Sequence, residues 1–341
     1  MRFRSDGPVT AGPSGFRRLP GTGLAVTTHN KTAVVALGGN AITKPGVEDT
    51  IANQFRHTRE SLDGIVDLIK DGYNLVVTHG NGPQVGNALL RIELARGKAP
   101  ILPLGVCVAD TEGGMGYMIQ QSLANRLRDE NLERPVITII TQVLVDPNDP
   151  AIANPTKFIG QFYSESDAKV FTQTRGWQMK RDSNRGWRRV VPSPMPLRTI
   201  EAGMIRKLVE SGAVVIADGG GGIPIYIDHR NWYEGIDAVI DKDLASALLA
   251  AEIGAGVLSI LTSVDSVAAN YGTPQQKNLE EVSLSQIRTL YQEGHFPEGS
   301  MGPKILAAIK FLENGGEMVT ITSFENAAKA LRGEAGTRIV R

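Results

Sequence analysis

Cysteine is almost absent from this sequence, since Cys107 is the only one among 341 residues. No disulfide can form within the chain, and a reducing compartment is the simplest setting. The sequence also has no uninterrupted apolar stretch near the roughly 20 residues that a membrane-spanning helix needs. We therefore expect a cytoplasmic protein that does not span a membrane.

An excess of charge of either sign is lacking as well. The chain has 36 Lys and Arg against 36 Asp and Glu, so its formal net charge is zero. Proteins that bind nucleic acid or anionic membranes usually carry a basic excess, and we expect neither partner here. The hydrophobic fraction of 41% can support a sizeable core. The length fits one large or two moderate domains, at about 100–200 residues per domain.

Several familiar catalytic motifs are missing. The sequence has no G-x-x-x-x-G-K-[ST] phosphate loop, no H-E-x-x-H zinc motif and no G-x-S-x-G nucleophile turn. Gly-Asn-Gly at 80–82, with Gly86, only loosely imitates a dinucleotide fingerprint, because the spacing is wrong and a Pro-Gln pair interrupts it. A Rossmann oxidoreductase is therefore a distant alternative.

The clearest pattern that is present is a strand followed by a glycine turn and a helix. The apolar run at 33–37 does not alternate with polar residues, which is typical of a strand buried on both faces. Gly38 and Gly39 follow it and leave backbone N–H groups open to an anion or a small substrate. Apolar residues at helical spacing between Ile51 and Ile69 then predict one amphipathic helix.

Similar glycine turns recur further along the chain. Gly-Asn-Gly at 80–82 follows the apolar run at 75–77, and four glycines at 219–222 follow the run at 213–217. Strands that alternate with helices in this way predict an α/β protein, a three-layer αβα sandwich with a mainly parallel open sheet. Because the carboxyl ends of parallel strands meet at one edge, we expect the three turns to surround one crevice for a polyanion. The alternative is that each glycine cluster serves only its own turn.

Three lysines lie in loops of unusual composition. Lys157 ends Asn-Pro-Thr-Lys, Lys242 stands between two aspartates, and Lys304 ends Gly-Ser-Met-Gly-Pro-Lys. A lysine ammonium is a compact charge on a flexible stem, and phosphoryl transfer depends on positioning and charge neutralisation. These lysines are therefore candidates for neutralising phosphate in the crevice. The alternative is that they are ordinary surface groups.

Two segments stand apart from the alternating pattern. Residues 1–30 contain several Arg, Gly and Pro without apolar periodicity, and we expect a disordered extension, with a transit peptide as the alternative. Two β-prone arms around a polar turn at 177–191 predict a hairpin that projects from the sheet. The basic residues of the hairpin favour a solvated face over a phosphate-attracting lid.

Six segments combine these glycines, lysines and aspartates. They are Ala-Leu-Gly-Gly-Asn-Ala (36–41), Thr-His-Gly-Asn-Gly-Pro-Gln-Val-Gly-Asn (78–87), Asn-Pro-Thr-Lys (154–157), Gly-Gly-Gly-Gly-Ile-Pro (219–224), Ala-Val-Ile-Asp-Lys-Asp (238–243) and Gly-Ser-Met-Gly-Pro-Lys (299–304). In order and spacing they closely resemble the carbamate kinases of the amino-acid kinase superfamily, from about residue 31 to the C-terminus. The resemblance implies the amino-acid kinase fold and reversible phosphoryl transfer between carbamoyl phosphate and ADP, giving ATP and carbamate. It also implies a requirement for Mg²⁺ and a homodimer.

The resemblance implies roles for individual residues. Lys157, Lys242, Asp243 and Lys304 would be catalytic: Lys157 would reach the transferred phosphoryl group, and Asp243 would orient the two lysines that neutralise the nucleotide phosphates. Carbamoyl phosphate would be held by Gly38, Gly39, Asn40, His79, Gly80, Asn81 and Gly82. The nucleotide would be held by Gly220, Gly221, Gly222, Asp241, Lys242, Thr262, Val264, Asp265, Asn270, Tyr271, Met301, Gly302 and Lys304. No protein side chain is implied as a dedicated metal ligand, because Mg²⁺ would be held mainly by nucleotide phosphates.

The same resemblance divides the chain into parts. Residues 31–341 would form the kinase domain, with a carbamoyl phosphate half at 31–212, a nucleotide half at 213–341 and a small projecting subdomain at about 145–195. Residues 1–30 have no counterpart in the family. Ala36 stands where several sibling kinases carry a lysine, so Lys157 would supply that charge.

Other functions are kept as alternatives. One is another enzyme of this superfamily with a different carboxylate or carbamoyl acceptor, and another is a non-catalytic regulator that binds nucleotide on the same fold. The lysines argue against the regulator, since a pure binder does not require charges that stabilise a transition state. The resemblance leaves open the direction of the reaction and the pathway, with arginine breakdown among the candidates.

Overall fold

A computed structural model describes residues 31–43, 46–182, 185–297 and 299–341. The extension predicted at 1–30 lies outside the described residues, and so does the side chain of Asn40.

The first part of the described chain contains the elements from Thr32 to Ile216. They are β1 (Thr32–Leu37), α1 (Ile51–Glu60), α2 (Asp63–Lys70), β2 (Asn74–His79), α3 (Gly82–Leu94), α4 (Leu104–Asp129), β3 (Val136–Thr138), β4 (Gln142–Val145), α5 (Pro150–Ala153), β5 (Lys157–Tyr163), α6 (Glu165–Arg175), β6 (Met179–Arg181), β7 (Trp187–Val191), β8 (Pro196–Thr199), α7 (Ala202–Glu210) and β9 (Val214–Ile216).

The second part continues to the C-terminus. Its elements are β10 (Ile223–Ile227), β11 (Tyr233–Gly235), α8 (Lys242–Ile253), β12 (Val257–Thr262), β13 (Val267–Ala269), β14 (Lys277–Leu279), β15 (Glu281–Ser283), α9 (Leu284–Gln292), α10 (Met301–Glu313), β16 (Met318–Ser323), α11 (Ala327–Arg332) and β17 (Thr337–Val340). Short 3-10 turns lie at Gly39–Ala41, Gly219–Gly221 and Phe324–Asn326.

The central sheet has the strand order β15-β17-β16-β12-β1-β2-β9-β3. Neighbouring strands from β16 to β3 run parallel, and β17 is antiparallel to β16. Helices cover both faces, as alternate residues of β1 demonstrate. Val34 and Ala36 pack in a core with α7, α8, α9 and α10, whereas Val35 and Leu37 pack with α2, α4 and α11. The predicted α/β class and mainly parallel sheet are therefore confirmed.

The three glycine turns lie side by side. The strands that precede them, β1, β2 and β9, are neighbours in the sheet. Because these strands are parallel, the turns at 38–39, 80–82 and 219–222 all lie at the carboxyl edge. The prediction that they share one edge of the sheet is correct.

The prediction of a single helix between Ile51 and Ile69 is wrong. Two helices, α1 and α2, occupy this stretch, and Ile51 is 55% exposed. The buried side of α1 is polar because it contacts the turn after β1. His57 Nδ1 lies 3.2 Å from the Ile42 carbonyl, and the Ser61 hydroxyl donates to the Ala41 carbonyl at 2.9 Å. These bonds satisfy backbone groups that an apolar face would have left unpaired.

A separate three-stranded sheet contains the predicted hairpin. Its strand order is β5-β7-β6, and both pairings are antiparallel. The hairpin of β6 and β7 is therefore confirmed. Lys157 is the first residue of β5, rather than part of a loop, and pairs with Val191 of β7.

Helix α4 was not predicted, and it supplies much of one core. Its buried residues include Met115, Ile119 and Leu123, and also the charged Glu112. In the described residues no helix is both long enough and apolar enough to cross a membrane.

Gly116 of α4 marks a close contact between this helix and β3. A Cβ atom added to Gly116 would lie 2.2 Å from Cγ2 of Thr138 and 3.2 Å from its Cβ. We expect Gly116→Ala to lower the free energy of unfolding by about 1–3 kcal/mol, as overpacking does. The matched control is Gly203→Ala in α7, since an added Cβ there has no atom of the described residues within 4 Å. This change should leave the free energy of unfolding unchanged or raise it by up to about 1 kcal/mol. Urea unfolding measures both, and equal stabilities would contradict the prediction.

Candidate active site

Asp243 holds two of the three predicted lysines at the carboxyl edge of the central sheet. The Lys242 ammonium donates to its Oδ1 at 2.5 Å, and the Lys304 ammonium donates to its Oδ2 at 3.0 Å. Lys242 and Asp243 lie in the first turn of α8, and Lys304 lies in the first turn of α10. The aspartate therefore joins the N-termini of two helices, which are the ends that favour anions.

The carboxylate of Asp243 is ionised although it is buried. Its residue is only 4% exposed. Burial alone would raise the pKa of Asp243, but the charges and hydrogen bonds of Lys242 and Lys304 outweigh this effect and hold the pKa well below its usual range. Both ammonium groups are consequently fixed in place while keeping hydrogens free for a further anion, because a lysine has three donors.

The third predicted lysine is held by the neighbouring aspartate. Lys157 donates to Asp241 Oδ2 at 2.7 Å. The other oxygen of Asp241 caps α8, since it accepts from the backbone N–H of Asp243 at 3.0 Å and of Leu244 at 3.4 Å. Residues 241–243 thus bring together all three lysines that the sequence singled out. With three ammonium groups against two carboxylates, this cluster has a net charge of +1.

The glycine turns lie next to this cluster. A Cβ atom added to Gly80 would lie 3.6 Å from the backbone N of Gly39 and 3.6 Å from Cδ of Lys242. Gly38 donates its N–H to the Leu261 carbonyl at 2.9 Å, and an added Cβ there would lie 2.8 Å from the same oxygen. Gly38 is therefore required for packing against β12, and it brings the end of β1 against Thr262.

Gly39 and Gly82 differ from Gly38, because no atom of the described residues requires a glycine there. A Cβ atom added to either one would have no described atom within 4 Å. Gly82 begins α3, and neither this helix nor the 3-10 turn at Gly39 has a side-chain cap on its first N–H groups. The open space beside uncapped N–H groups is suited to the close approach of an anion.

The glycines at 219–222 are packed against protein atoms. An added Cβ would lie 2.1 Å from Asn81 Nδ2 at Gly220, 2.5 Å from the Ile240 carbonyl at Gly221 and 2.4 Å from Val143 Cγ2 at Gly222. The side chain of Asn81 is buried and donates to the Thr111 hydroxyl at 2.9 Å. Packing therefore already accounts for Gly220, Gly221 and Gly222, and contact between them and a nucleotide stays a prediction.

His79 ends β2 and is 1% exposed. Burial lowers its pKa to about 4; the Gly80 carbonyl opposes this shift, and the charge of Lys242 adds to it. The ring is thus neutral near pH 7, and its Nδ1 must carry the proton that it shares with the Gly80 carbonyl at 3.2 Å. His79 can orient the turn at Gly80, but it adds no positive charge.

The remaining residues predicted for the nucleotide lie around β12 and α10. An added Cβ at Gly38 would lie 3.6 Å from Thr262 Cα, so Thr262 joins the turn after β1. Asp265 accepts from the Asn326 amide at 3.2 Å, and Asn270 bonds His295 Nδ1 at 2.6 Å. Tyr271 is 66% exposed. Val264 is half-buried beside Asp265, and Met301 and Gly302 begin α10 ahead of Lys304. Their contact with a nucleotide stays a prediction.

Within the described ranges, no group of three or more His, Cys, Asp or Glu side chains is arranged to hold a metal ion. Both oxygens of Asp243 carry a lysine hydrogen bond, as described above. A carboxylate has further lone pairs, so Asp243 can serve as one protein oxygen for a Mg²⁺ ion that is held chiefly by phosphates.

A buried acidic cluster behind the glycine turns was missed by the sequence analysis. Thr141 donates its backbone N–H to Glu112 Oε2 at 3.0 Å and its hydroxyl to Oε1 at 2.8 Å. The same hydroxyl accepts from the backbone N–H of Asp218 at 2.8 Å. Glu112 is 1% and Asp218 0% exposed. In a sequence, such carboxylates look like surface residues, so no signal identified them.

Burial raises the pKa of both acids. The pKa of Glu112 rises to about 9, with the Thr141 hydrogen bonds opposing the shift, and that of Asp218 rises to about 7. Glu112 therefore keeps a proton in the folded state that the unfolded chain, with an ordinary pKa of 4.5, releases. Between these two values the unfolded state binds fewer protons, so the stability falls as pH rises.

Replacing Glu112 by Gln should remove this pH dependence. We expect the melting temperature of Glu112→Gln, relative to that of the unaltered protein, to rise steadily as pH increases from 5 towards 9. The exposed residue Glu133 provides a control, and Glu133→Gln should give a curve parallel to that of the unaltered protein. Thermal unfolding at several pH values measures the effect. A constant offset between the Glu112→Gln curve and the reference curve would show that Glu112 is ionised in the fold.

Known proteins are similar to this chain in sequence and in fold. The model of the amino acid kinase family matches residues 31–323. Carbamate kinase from Pyrococcus furiosus is 48% identical over 91% of this chain and 99% of the relative. A carbamate kinase-like protein of Escherichia coli is also 48% identical, over 90% of this chain and 98% of the relative. The solved structure of carbamate kinase from Giardia lamblia bound to AMP-PNP has a TM-score of 0.85 and 44% identity, and the match covers 91% of this chain and 98% of that one. The chain therefore belongs to the amino acid kinase family and, within it, to the carbamate kinases.

Proposed function

We propose that this enzyme catalyses reversible phosphoryl transfer between carbamoyl phosphate and ADP, giving ATP and carbamate, and that it requires Mg²⁺. The observation that carries the proposal is the cluster at 241–243. Its three ammonium groups and two carboxylates have a net charge of +1, and Lys242 lies next to the glycine turn at Gly80 and the backbone N of Gly39. The first N–H groups at Gly39 and at Gly82 have no side-chain cap. This is the combination of fixed donors and point charges that a transferring phosphoryl group needs.

Each part of the cluster has a task in this reaction. A terminal oxygen of ADP forms the new bond to phosphorus while the bond from phosphorus to the carbamoyl oxygen breaks, and carbamate leaves with that electron pair. We assign carbamoyl phosphate to the backbone donors around Gly39 and Gly82, the group in flight to Lys157, and the ADP phosphates to Lys242 and Lys304. Asp243 keeps the last two lysines apart and oriented, because each of its oxygens holds one of them.

The metal fits this arrangement as part of the nucleotide. Mg²⁺ would be held by the phosphates of ADP, with Asp243 as the available carboxylate, and would add charge neutralisation. We further propose the division into a carbamoyl phosphate half at 31–212 and a nucleotide half at 213–341, with the subdomain at about 145–195 delivering Lys157. A structure with ADP bound would check this division.

The reaction itself is tested with the purified full-length chain. We expect ATP to form from carbamoyl phosphate and MgADP, and the rate to fall to background when EDTA removes the metal. Acetyl phosphate should be a poorer donor, which separates this function from that of a sibling kinase with another acceptor. Folded protein that forms no ATP above the rate without enzyme would overturn the proposal and favour a non-catalytic role.

Lys157 is the most informative residue for the mechanism. Ala36 provides no cation beside the turn at Gly38 and Gly39, so we assign the charge that faces the transferred group to Lys157. We expect Lys157→Ala to lower kcat and kcat/KM together by about 10²–10³, as loss of a comparable donor does elsewhere. The melting temperature should change little, because the side chain of Lys157 is 37% exposed and supports no core. Lys157→Arg should restore little activity, since a planar fork does not replace a point charge.

The control for Lys157 lies in the same small subdomain. Lys169 of α6 pairs with Glu165 at 2.8 Å, and its side chain is 71% exposed. Lys169→Ala should keep full activity. Normal turnover of Lys157→Ala would contradict the role given to this lysine.

We also propose that two copies of the chain form a homodimer in the cytoplasm. Exposed apolar residues on α1, on α4 and just after β3 support this, with Ile51 55%, Val106 42%, Tyr117 57% and Ile140 45% exposed. These elements meet at the surface: Tyr117 of α4 packs edge-on against Phe55 of α1, and a Cβ added to Gly113 of α4 would lie 4.0 Å from Ile140 Cδ1. Contiguous apolar surface of this kind usually marks an interface. A chain with Cys107 as its single cysteine can form no internal disulfide, which supports a reducing compartment, and cell fractionation would check it.

Light scattering after size exclusion tests the dimer. The unaltered chain should have the mass of two copies, and Tyr117→Glu should have the mass of one, because the charge would be buried at the interface. Met204→Glu is the control, since Met204 is 55% exposed but lies on α7, which packs on the opposite face of the sheet. A monomeric unaltered chain, or a dimeric Tyr117→Glu variant, would contradict the proposal.

A further inference from the structure

The two carboxylate oxygens of Asp241 have different partners. One caps helix α8, and the other accepts from Lys157, the first residue of β5 in the small three-stranded sheet. Oδ1 accepts backbone N–H groups of α8, and Oδ2 accepts the ammonium of Lys157 at 2.7 Å. The capping bonds fix the carboxylate to the backbone that also carries Lys242 and Asp243. The position of the Lys157 ammonium is thereby tied to the two other lysines.

The contact also lies where the small sheet joins the rest of the molecule. Lys157 pairs with Val191 of β7, and the carbonyl of the next residue, Pro192, accepts the backbone N–H of Val239 at 3.0 Å. Two residues after Val239 comes Asp241. The backbone bond fastens the end of β7 to the segment that enters α8, and the ion pair sets the position of the Lys157 ammonium beside that segment.

Without such a contact, the Lys157 ammonium would have no fixed position. A lysine side chain has about four rotatable carbon–carbon bonds and loses much conformational entropy when it is held in one place. The structure describes one hydrogen-bond partner for the Lys157 ammonium, which is Asp241. A carboxylate that is itself fixed by the helix selects one arrangement of this side chain before substrate arrives, and preorganised charge of this kind lowers a barrier most.

We propose that Asp241 is a positioning residue for Lys157, and that it acts on the transferred phosphoryl group only through that lysine. This inference rests on the proposed function. It gives Asp241 a role different from the nucleotide contact that the sequence resemblance implies.

Asp241→Asn separates the two tasks of the side chain. Asn is as good a helix cap as Asp, so its Oδ1 keeps the bonds to α8. Its Nδ2 group is a donor and cannot accept the Lys157 ammonium. We expect kcat to fall by roughly tenfold to 10²-fold, the scale of a misplaced catalytic group, with smaller changes in KM for ADP and carbamoyl phosphate. The melting temperature should stay within about 2 °C. Asp241→Ala removes the cap as well and should lower the melting temperature by a further ~2–4 °C.

The decisive measurement combines Asp241→Asn with Lys157→Ala. If Asp241 acts only through Lys157, the double variant should be no slower than Lys157→Ala alone, because the group that it positions is already missing. Asp241→Ser, another capping residue without charge, provides a second variant if the Asn protein does not fold. A purely structural role would instead lower the melting temperature and slow the enzyme further in the double variant.

Asp228 offers a closely matched control. Its Oδ1 also accepts backbone N–H groups, from Arg230 and Trp232, and its Oδ2 also pairs with a cation, Arg230, at 2.7 Å. It lies after β10, away from the lysine cluster, so Asp228→Asn should keep full activity. Normal kcat in Asp241→Asn, or additive losses in the double variant, would overturn the inference. Both outcomes presuppose that the unaltered protein forms ATP, so they are distinct from a failure of the proposed function.

Discussion

The buried carboxylate of Asp243, held between two ammonium groups, is the interaction on which the rest of the site depends. A lone carboxylate at this depth would cost several kcal/mol in lost hydration, and only well-placed partners with good hydrogen bonds offset that cost. The partners come from two helices, with Lys242 on α8 and Lys304 on α10. The N-termini of these helices must therefore meet at the carboxyl edge of the sheet. Electrostatics therefore keeps α8 and α10 together, since separating the two helices would leave the buried Asp243 carboxylate without one of its cations.

The glycines around this interaction divide into those that protein packing requires and those that it does not. Gly38 and Gly220 leave no room for a side chain, because neighbouring protein atoms occupy the space. Gly39 and Gly82 face open space beside uncapped N–H groups. Behind the packed glycines, Glu112 and Asp218 are buried with Thr141 between them. Packed glycines keep the backbone of the site in place, and open glycines leave its N–H groups accessible. A site that binds an anion without rearranging needs both.

Much of the fold could be predicted from the sequence, because strands buried on both faces leave uninterrupted apolar runs. Those at 33–37 and 213–217 became β1 and β9, and the glycines after them marked the edge of the sheet. The three lysines were found because glycine, proline and aspartate around them are unusual for a surface. The rest left weaker traces. Helix α4 contains glycines and a buried glutamate that obscure its apolar face, and α1 buries polar groups that pair with a turn far away in sequence. The pairing of Lys157 with Asp241 spans 84 residues and has no local signature.

The ammonium groups of all three lysines are held by aspartates within three consecutive residues, 241–243, at the start of α8. This arrangement bears on how the family can change in length. Asp241 caps α8, whereas Lys242 and Asp243 lie in its first turn. Inserting or deleting one residue between Asp241 and Asp243 would change their relative positions, since successive helical residues are about 100° apart, and the Lys157 ammonium would no longer be held beside the other two. Natural length variation should therefore be absent from the tripeptide, and engineered insertions there should be poorly tolerated.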